Sequence, residues 1–142
     1  MIDNTSIKDI MTTDVIVVHE NQNLSDVTQI FRENHIHHIP VLKGKKPVGI
    51  ISTHDIFKLI FDTGSTDERM LDVLLDHTYK LKEVMTDMLV VLADSATIKD
   101  ATKILSDSSI HSLLIVDNKG DLSGIVTTTD LVKFLHRNIE EA

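Results

Sequence analysis

The heptapeptide Gly-Ile-Ile-Ser-Thr-His-Asp at residues 49–55 decides the fold, because the chain contains it twice. The second copy is Gly-Ile-Val-Thr-Thr-Thr-Asp at residues 124–130. Each copy has a glycine, two apolar residues, a hydroxyl residue and, three positions later, an aspartate. This order is typical of a buried strand that leads directly into a helix with a capped amino terminus.

The sequence on either side repeats in the same register, which indicates that a whole structural unit is duplicated. Ile-Lys-Asp-Ile-Met-Thr at residues 7–12 recurs as Leu-Lys-Glu-Val-Met-Thr at residues 81–86. The dipeptide Ile-His at residues 36–37 recurs at residues 110–111. Matches this widely spread predict two copies of one fold.

Each copy predicts the element order β-α-β-β-α. The β-branched and apolar runs at residues 15–18 and 89–92 predict a first strand. Asn23 and Thr97, each followed by an aspartate three residues later, predict a helix start. Two strands joined by a tight turn and a second helix complete each unit.

The chain therefore divides into repeat 1 (residues 1–62), a helical linker (residues 63–80) and repeat 2 (residues 81–142). In the linker, Gly64 ends the preceding helix, and the segment from Ser65 to Glu68 has the spacing of a capping box. An apolar stripe follows, which predicts either packing against the repeats or a dimer contact: Met70, Leu71, Leu74 and Leu75.

Composition excludes several classes of function. The 142 residues include no cysteine, which rules out disulfides, thiolate metal sites and cysteine nucleophiles. The formal net charge of −8 argues against nucleic-acid binding. No signal-like amino terminus and no apolar run of about 18 to 20 residues is present, so we expect a cytoplasmic protein without a membrane partner.

The repeated pattern resembles the cystathionine-β-synthase (CBS) domain family over nearly the whole chain. Besides the heptapeptide, the resemblance rests on Asp-Ile-Met-Thr at residues 9–12, repeated as Glu-Val-Met-Thr at 83–86, and on His-His-Ile-Pro-Val at 37–41, whose partner is His-Ser-Leu-Leu-Ile at 111–115. It implies an α+β fold in which two βαββα repeats pack sheet to sheet with pseudo-twofold symmetry. It also implies one Bateman module with two clefts, which commonly pairs into a dimer.

The heptapeptide also carries the chemistry of a nucleotide site. Free N–H groups and the positive end of the dipole point outward at a helix start. Hydroxyls there can donate to phosphate oxygens, and a carboxylate one turn into the helix can accept from the ribose diol. The same hydroxyl and acid also form a capping pair, and capping and binding can coexist at one helix start.

The family resemblance implies nucleotide-binding roles for eleven residues of this chain. It assigns the ribose hydroxyls to Asp55 and Asp130. It assigns adenine, largely through backbone contacts, to Val15 and Leu89. The remaining positions would face phosphate: His37, His38, Ser52, His54, His111, Thr127 and Thr129.

Neither repeat has arginine or lysine at these phosphate positions. In repeat 1, His37, His38 and His54 could supply positive charge below about pH 6.5, so we expect tighter binding in mild acid. In repeat 2 only His111 could do so, and we expect a monophosphate or diphosphate to compete well with ATP there.

Three other functions fit the residues less well. His35 and the repeat 1 histidines are possible metal ligands, but His37 and His38 are adjacent and would point to opposite faces of a strand, so we expect no metal. No phosphate loop, dinucleotide fingerprint or nucleophile elbow is present, so we expect no enzyme. The third is a structural or interaction module, without a ligand, that mediates dimerisation or partner binding.

The sequence therefore predicts a regulatory module that binds AMP, ADP or ATP, ahead of adenosylmethionine, in clefts between the two repeats. We expect it to sense cellular energy state, to form a homodimer and to act on a separate effector protein. The preferred nucleotide, the number of occupied clefts and the dimer orientation are left open by the sequence.

Overall fold

The computed structural model describes residues 4–64, 67–107 and 109–140. The chain contains two β-α-β-β-α repeats joined by a linker helix, as the sequence predicts. Each repeat forms a three-stranded sheet, and the mixed α+β fold class is confirmed.

In repeat 1, the first strand lies parallel to the second, and the second is antiparallel to the third. The turn between the second and third strands uses Gly44, whose φ of 63° suits glycine. The elements are β1 (Val18–His19), α1 (Leu24–Glu33), β2 (His38–Lys43), β3 (Lys46–Ser52) and α2 (Thr53–Thr63).

Repeat 2 has the same order and pairing. Its leading phrase forms a short helix, whereas that of repeat 1 forms a 3-10 turn at Ile7–Asp9. The elements are α4 (Leu81–Val84), β4 (Val91–Ala93), α5 (Ile98–Leu105), β5 (Ser112–Val116), β6 (Leu122–Thr127) and α6 (Thr128–Glu140). The linker helix between the repeats is α3 (Glu68–Thr78).

The first strand of each repeat is shorter than the sequence predicts. Residues 15–17 lie outside β1, and residues 89–90 lie outside β4. The residues just upstream are held by a different sheet, as described below, so the chain joins its own sheet only at Val18 and Val91. A β-branched run without a neighbouring strand has no ladder to complete.

The linker helix begins later than the predicted capping box. Its amino terminus is capped by Asp67, whose carboxylate accepts a hydrogen bond from the Arg69 N–H at 2.9 Å. Ser65 and Thr66 lie outside the described residues. Gly64 ends α2 with a φ of 67°, as predicted. Within the apolar stripe, Leu71 and Leu75 are buried in the core of the first unit, whereas Met70 is 53% exposed.

The chain forms two compact units that differ from the two repeats in sequence. The first unit runs from Ile16 to Leu89, and the second combines the residues from Val90 onward with those up to Val15. The leading segment of each repeat, residues 6–12 or 81–86, therefore belongs to the unit that contains the other repeat's sheet.

Backbone and core contacts fix the first leading segment in the second unit. Thr12 and Ile125 exchange two N–H···O=C bonds of 2.9 and 3.0 Å. Ile7 is fully buried and shares one apolar cluster with Leu113 of β5. The ammonium of Lys8 lies 4.0 Å from a carboxylate oxygen of Asp94.

The second leading segment makes corresponding contacts in the first unit. Thr86 and Ile50 exchange backbone hydrogen bonds of 2.8 and 2.9 Å. Leu81 is 2% exposed and belongs to the core of this unit. Lys82 lies 3.8 Å from Glu20, so both ion pairs recur at equivalent positions of the repeat.

The packing of each leading segment against the sheet of the other repeat explains why each heptapeptide starts with glycine. A Cβ at Gly49 would lie 2.3 Å from Sδ of Met85, and one at Gly124 would lie 2.8 Å from Sδ of Met11. Any larger residue would displace the methionine that closes the core at this point. The repeated methionine and the repeated glycine are therefore packing partners across the two repeats.

Candidate functional site

The candidate site of the first unit lies where β3 passes directly into α2. Ser52 is the last residue of the strand and is paired with His38 on β2. The first N–H of the helix, that of Thr53, donates to the carbonyl of His37 at 3.0 Å. These contacts bring the predicted residues His37, His38 and Ser52 to one end of the sheet, with His54 exposed and Asp55 half-buried on the first turn of α2.

The second unit repeats this arrangement at the junction of β6 and α6. Thr127 is paired with Ser112 on β5, and the Thr128 N–H donates to the carbonyl of His111 at 3.2 Å. Thr129 is exposed and Asp130 is half-buried. Each unit thus gathers the residues predicted for phosphate and ribose at one helix start.

Both aspartates cap their helices. Oδ2 of Asp55 accepts hydrogen bonds from the N–H and the hydroxyl of Ser52 at 2.8 and 2.9 Å, and the Asp55 N–H donates back to Oγ of Ser52 at 3.2 Å. In the second unit, Oδ2 of Asp130 accepts from the Thr127 N–H at 2.9 Å, and the Asp130 N–H donates to the Thr127 hydroxyl at 3.3 Å. The capping interpretation of the heptapeptide is therefore correct.

Capping alone does not distinguish these helix starts from others in the chain. Asp26 accepts from the Asn23 N–H on α1, and Asp100 accepts from the Thr97 N–H on α5, both at 2.9 Å. Two features are particular to α2 and α6. Each follows its strand without a loop, and in each the N–H of the first residue donates to the backbone carbonyl of the histidine that directly precedes the neighbouring strand.

The capping geometry leaves acceptor capacity for a ligand. Among the described residues, the hydrogen bonds to the carboxylates of Asp55 and Asp130 all reach Oδ2. Each carboxylate therefore retains Oδ1, and an ionised carboxylate has about four acceptor positions in all. A vicinal diol can be bound there without loss of the cap.

The two residues predicted to contact adenine are half-buried, and each falls in the unit of the other repeat. Val15 belongs to the second unit, with Thr127 and Asp130, and Leu89 belongs to the first unit, with Asp55. Sequence order would have paired Val15 with Asp55. The sequence does not indicate that each leading segment belongs to the unit of the other repeat, because along the chain each segment directly precedes its own repeat.

A surface groove of about 430 Å³ lies elsewhere, between α1 and α3. Its arginine, Arg32, already donates two hydrogen bonds to Asp72, at 2.8 and 3.0 Å, so that charge is neutralised within the protein. The groove is lined by Ser25, Arg32, Glu68, Arg69, Asp72, Val73 and Asp76. Acidic side chains predominate there, which does not favour a phosphate ligand.

Two further observations concern residues 4–64, 67–107 and 109–140. Within these ranges, no group of three or more His, Asp or Glu side chains is arranged to hold a metal ion. In the same part of the chain, none of the helices combines the length and the apolar character needed to cross a bilayer.

The duplicated βαββα fold, with the same strand-to-helix junction in each copy, defines the class of protein as a tandem pair of like domains. Residues 7–62 and 81–137 each match the CBS domain family. The chain belongs to the CBS domain family, which confirms the resemblance identified from the repeated phrases.

Known relatives match most of the chain. The uncharacterised protein MJ1426 of Methanocaldococcus jannaschii is 37% identical, over 91% of this chain and 90% of its own length. The CBSX2 protein of Arabidopsis thaliana, whose crystal structure is a complex with AMP, is 26% identical with a TM-score of 0.77, covering 94% of this chain and 97% of that one.

Other relatives are longer than this chain. The inosine-5'-monophosphate dehydrogenase of Korarchaeum cryptofilum is 30% identical over 83% of this chain, which spans only 22% of the enzyme. The chain likewise spans 43% of a second M. jannaschii protein, MJ1232, that is 29% identical to it. The CBS pair therefore occurs both as nearly a whole protein and as part of a longer one.

Proposed function

We propose that this chain is a regulatory module that binds an adenine nucleotide at the starts of α2 and α6. The observation that carries the proposal is the junction of strand and helix. There a capping aspartate with a remaining acceptor oxygen lies beside a hydroxyl residue and at least one histidine: His37 and His38 in the first unit and His111 in the second. The AMP complex of CBSX2 supports an adenine nucleotide as the ligand class.

Local features must hold the phosphate, because the chain carries a net charge of −8. At each helix start the capping contacts and the neighbouring histidine carbonyl use the other first-turn N–H groups, which leaves, among the residues that the structure describes, the N–H of His54 on α2 and that of Thr129 on α6. Together with the helix dipole, this N–H favours an anion at each amino terminus. Ser52 or Thr127 supplies a hydroxyl, and Asp55 or Asp130 accepts from the ribose. We assign no catalytic step to these residues, since ligand binding alone accounts for them.

The exchange of leading segments determines which adenine contact serves which site. We infer that Val15 acts with Asp130 in the second unit and that Leu89 acts with Asp55 in the first. A double-mutant cycle for AMP affinity tests this pairing. Val15→Pro, which removes the backbone N–H at this position, and Asp130→Ala should be non-additive, whereas Val15→Pro and Asp55→Ala should be additive. The reverse pattern would restore the pairing by sequence order.

Thermal unfolding with added nucleotide tests the function as a whole. Binding to the folded state raises the melting temperature increasingly with ligand concentration, and about 100 times Kd contributes about 2.7 kcal/mol. We expect this response to AMP, ADP or ATP, more strongly than to adenosylmethionine, with GMP as the control. A flat response to all of them would favour the alternative, a module that mediates dimerisation or partner binding without a ligand.

We expect nucleotide binding in the first unit to depend on pH, because His37, His38 and His54 lie at this site and a protonated imidazole attracts phosphate. The variant Asp130→Ala should retain only the site of the first unit. Calorimetry of this variant should show tighter nucleotide binding at pH 6 than at pH 8. Equal affinities would exclude a phosphate role for the histidines.

We also propose that the module is a homodimer that acts on a separate effector protein as a sensor of energy state. Phe57 and Phe61 on α2 are 54% and 71% exposed, and their rings meet edge to face with the ring centroids 4.8 Å apart. Exposed aromatic pairs of this kind commonly lie in protein interfaces. Sedimentation should give a dimer for the natural chain and a monomer for Phe57→Ser/Phe61→Ser.

A further inference from the structure

Corresponding faces of α1 and α5 differ in whether another helix covers them. On α1, the face that includes Ser25, Thr28 and Arg32 packs against the linker helix α3. The described residues contain one such linker helix and two such faces. On α5, the residues at equivalent positions of the repeat are exposed.

The covered face on α1 shows how an acidic helix is bound. Asp72 of α3 accepts a hydrogen bond from the Thr28 hydroxyl at 2.8 Å and two from the guanidinium of Arg32. One helical turn later, Asp76 accepts from the N–H of Ser25 at 2.8 Å and from its hydroxyl. Two carboxylates four residues apart thus meet a row of donors on the neighbouring helix.

The face on α5 repeats the threonine donor but not the guanidinium, because the counterpart of Arg32 is Ser106, whose hydroxyl donates to the Lys103 carbonyl at 2.9 Å. Thr102 is the repeat counterpart of Thr28, and its hydroxyl donates to the Lys99 carbonyl at 2.9 Å, as that of Thr28 donates to the Ser25 carbonyl at 3.0 Å. Thr28 is only 5% exposed, whereas Thr102 is exposed. The difference is the carboxylate of Asp72, which has no counterpart on α5 among the described residues.

Two lysines add positive charge to the α5 face. Lys99 and Lys103 are one turn apart and exposed, and neither ammonium makes an ion pair or hydrogen bond within the described part of the chain. The carboxylate between them in sequence, that of Asp100, is held by the Thr97 N–H and hydroxyl as a cap. The Asp100 carboxylate also attracts both ammonium groups, so Lys99, Asp100 and Lys103 together carry a net charge of +1 in a chain of net charge −8.

We propose that the α5 face, formed by Lys99, Thr102, Lys103 and Ser106, docks an acidic helix of a partner protein. The partner helix carries two carboxylates four residues apart, as Asp72 and Asp76 are on α3. Charge complementarity and the internal example of α1 with α3 both specify this occupant. The surface is independent of the nucleotide sites and would be present whether or not they bind a ligand.

A peptide with the sequence of residues 67–80 of this chain is a suitable probe, because it reproduces α3. Titrated into the ¹⁵N-labelled full chain, it should shift the amide resonances of α5 around Thr102. Lys99→Gln/Lys103→Gln should weaken binding about tenfold. Lys45→Gln/Lys58→Gln, which removes the same charge from exposed positions of the first unit, should leave the affinity unchanged.

Three results would overturn the proposal. One is the absence of α5 shifts at millimolar peptide. Another is equal binding of a peptide in which Asp72 and Asp76 are replaced by asparagine, which would remove the carboxylates from the recognition. The third is a set of shifts confined to α1, which would mean that the peptide only competes with the chain's own linker helix.

Discussion

At the scale of single residues, the pairing of glycine with methionine connects sequence to fold. Gly49 lacks a side chain because Met85 occupies that space, and Gly124 lacks one because Met11 does. The two sites differ in one respect. At Gly124 a Cβ would also lie 2.9 Å from the carbonyl oxygen of Thr12, a backbone atom that cannot rotate away.

Replacing either glycine by alanine should lower stability, but a second substitution at the facing methionine should restore stability to different extents at the two positions. Gly49→Ala should lower the free energy of unfolding by about 1–3 kcal/mol through overpacking. Met85→Ala in the same chain should recover part of that loss, because flexible side-chain atoms cause the clash. Met11→Ala should recover less of the free energy of unfolding that is lost on Gly124→Ala, because the Thr12 carbonyl remains in place.

Urea denaturation of the four variants and of Met85→Ala and Met11→Ala alone measures these differences. Equal recovery at both positions would show that the backbone contact at Gly124 is unimportant. A Gly49→Ala chain as stable as the natural one would show that the glycine is not required by packing.

At the scale of secondary-structure elements, the linker helix is held to α1 by polar contacts as well as by Leu71 and Leu75. Hydrogen bonds from Arg32, more than the other contacts, hold the pKa of the Asp72 carboxyl below its ordinary value of 3.8. A carboxylate whose pKa is lowered by folding stabilises the fold above its unfolded pKa. That contribution is lost as the pH falls through the lowered value.

Asp72→Asn should remove this pH dependence. At pH 7 we expect a loss of about 1–2 kcal/mol, because Thr28 and Arg32 lose a charged acceptor in a half-exposed position. The difference from the natural chain should shrink as the pH falls below about 4, because the unfolded chain then binds a proton at this carboxylate while the folded chain does so only at lower pH. Chemical denaturation from pH 7 to pH 2.5 checks this, with Asp62→Asn on the exposed side of α2 as control. A difference that stays constant with pH would contradict the ionic role.

Local rules predicted most elements but not their partners. The caps at Asn23 and Thr97, the hairpins and the helix stop at Gly64 follow from residue chemistry within a few positions. The contacts of α3 with α1 and the shortening of β1 depend on residues 40 or more positions apart. Such pairings leave no periodic pattern in the sequence.

At the scale of the whole molecule, the repeat boundary in sequence is not the boundary of the compact units. Each unit needs a leading segment from the opposite repeat, with Ile7 buried in the second unit and Leu81 in the first. The candidate sites could be predicted as residue sets, because each heptapeptide carries its own chemistry. Their assembly from both repeats could not, since it depends on this exchange.

The exchange of leading segments predicts which of the two units a core mutation destabilises. Ile7→Ala should cost about 2–4 kcal/mol and lower hydrogen-exchange protection in β5 and β6 more than in β2 and β3. Leu81→Ala should do the opposite. Exchange measured by mass spectrometry on both variants decides this. Loss of protection in β2 and β3 on Ile7→Ala would contradict the assignment of the leading segments.

Calorimetry with AMP on aspartate variants tests the proposed function most directly. Asp26→Ala and Asp100→Ala serve as controls, because they remove equivalent caps from α1 and α5. We predict that Asp55→Ala and Asp130→Ala each abolish one binding event, that their combination abolishes both, and that the controls bind AMP like the natural chain. Unchanged AMP binding in a folded Asp55→Ala/Asp130→Ala protein would show that these helix starts are caps and not nucleotide sites.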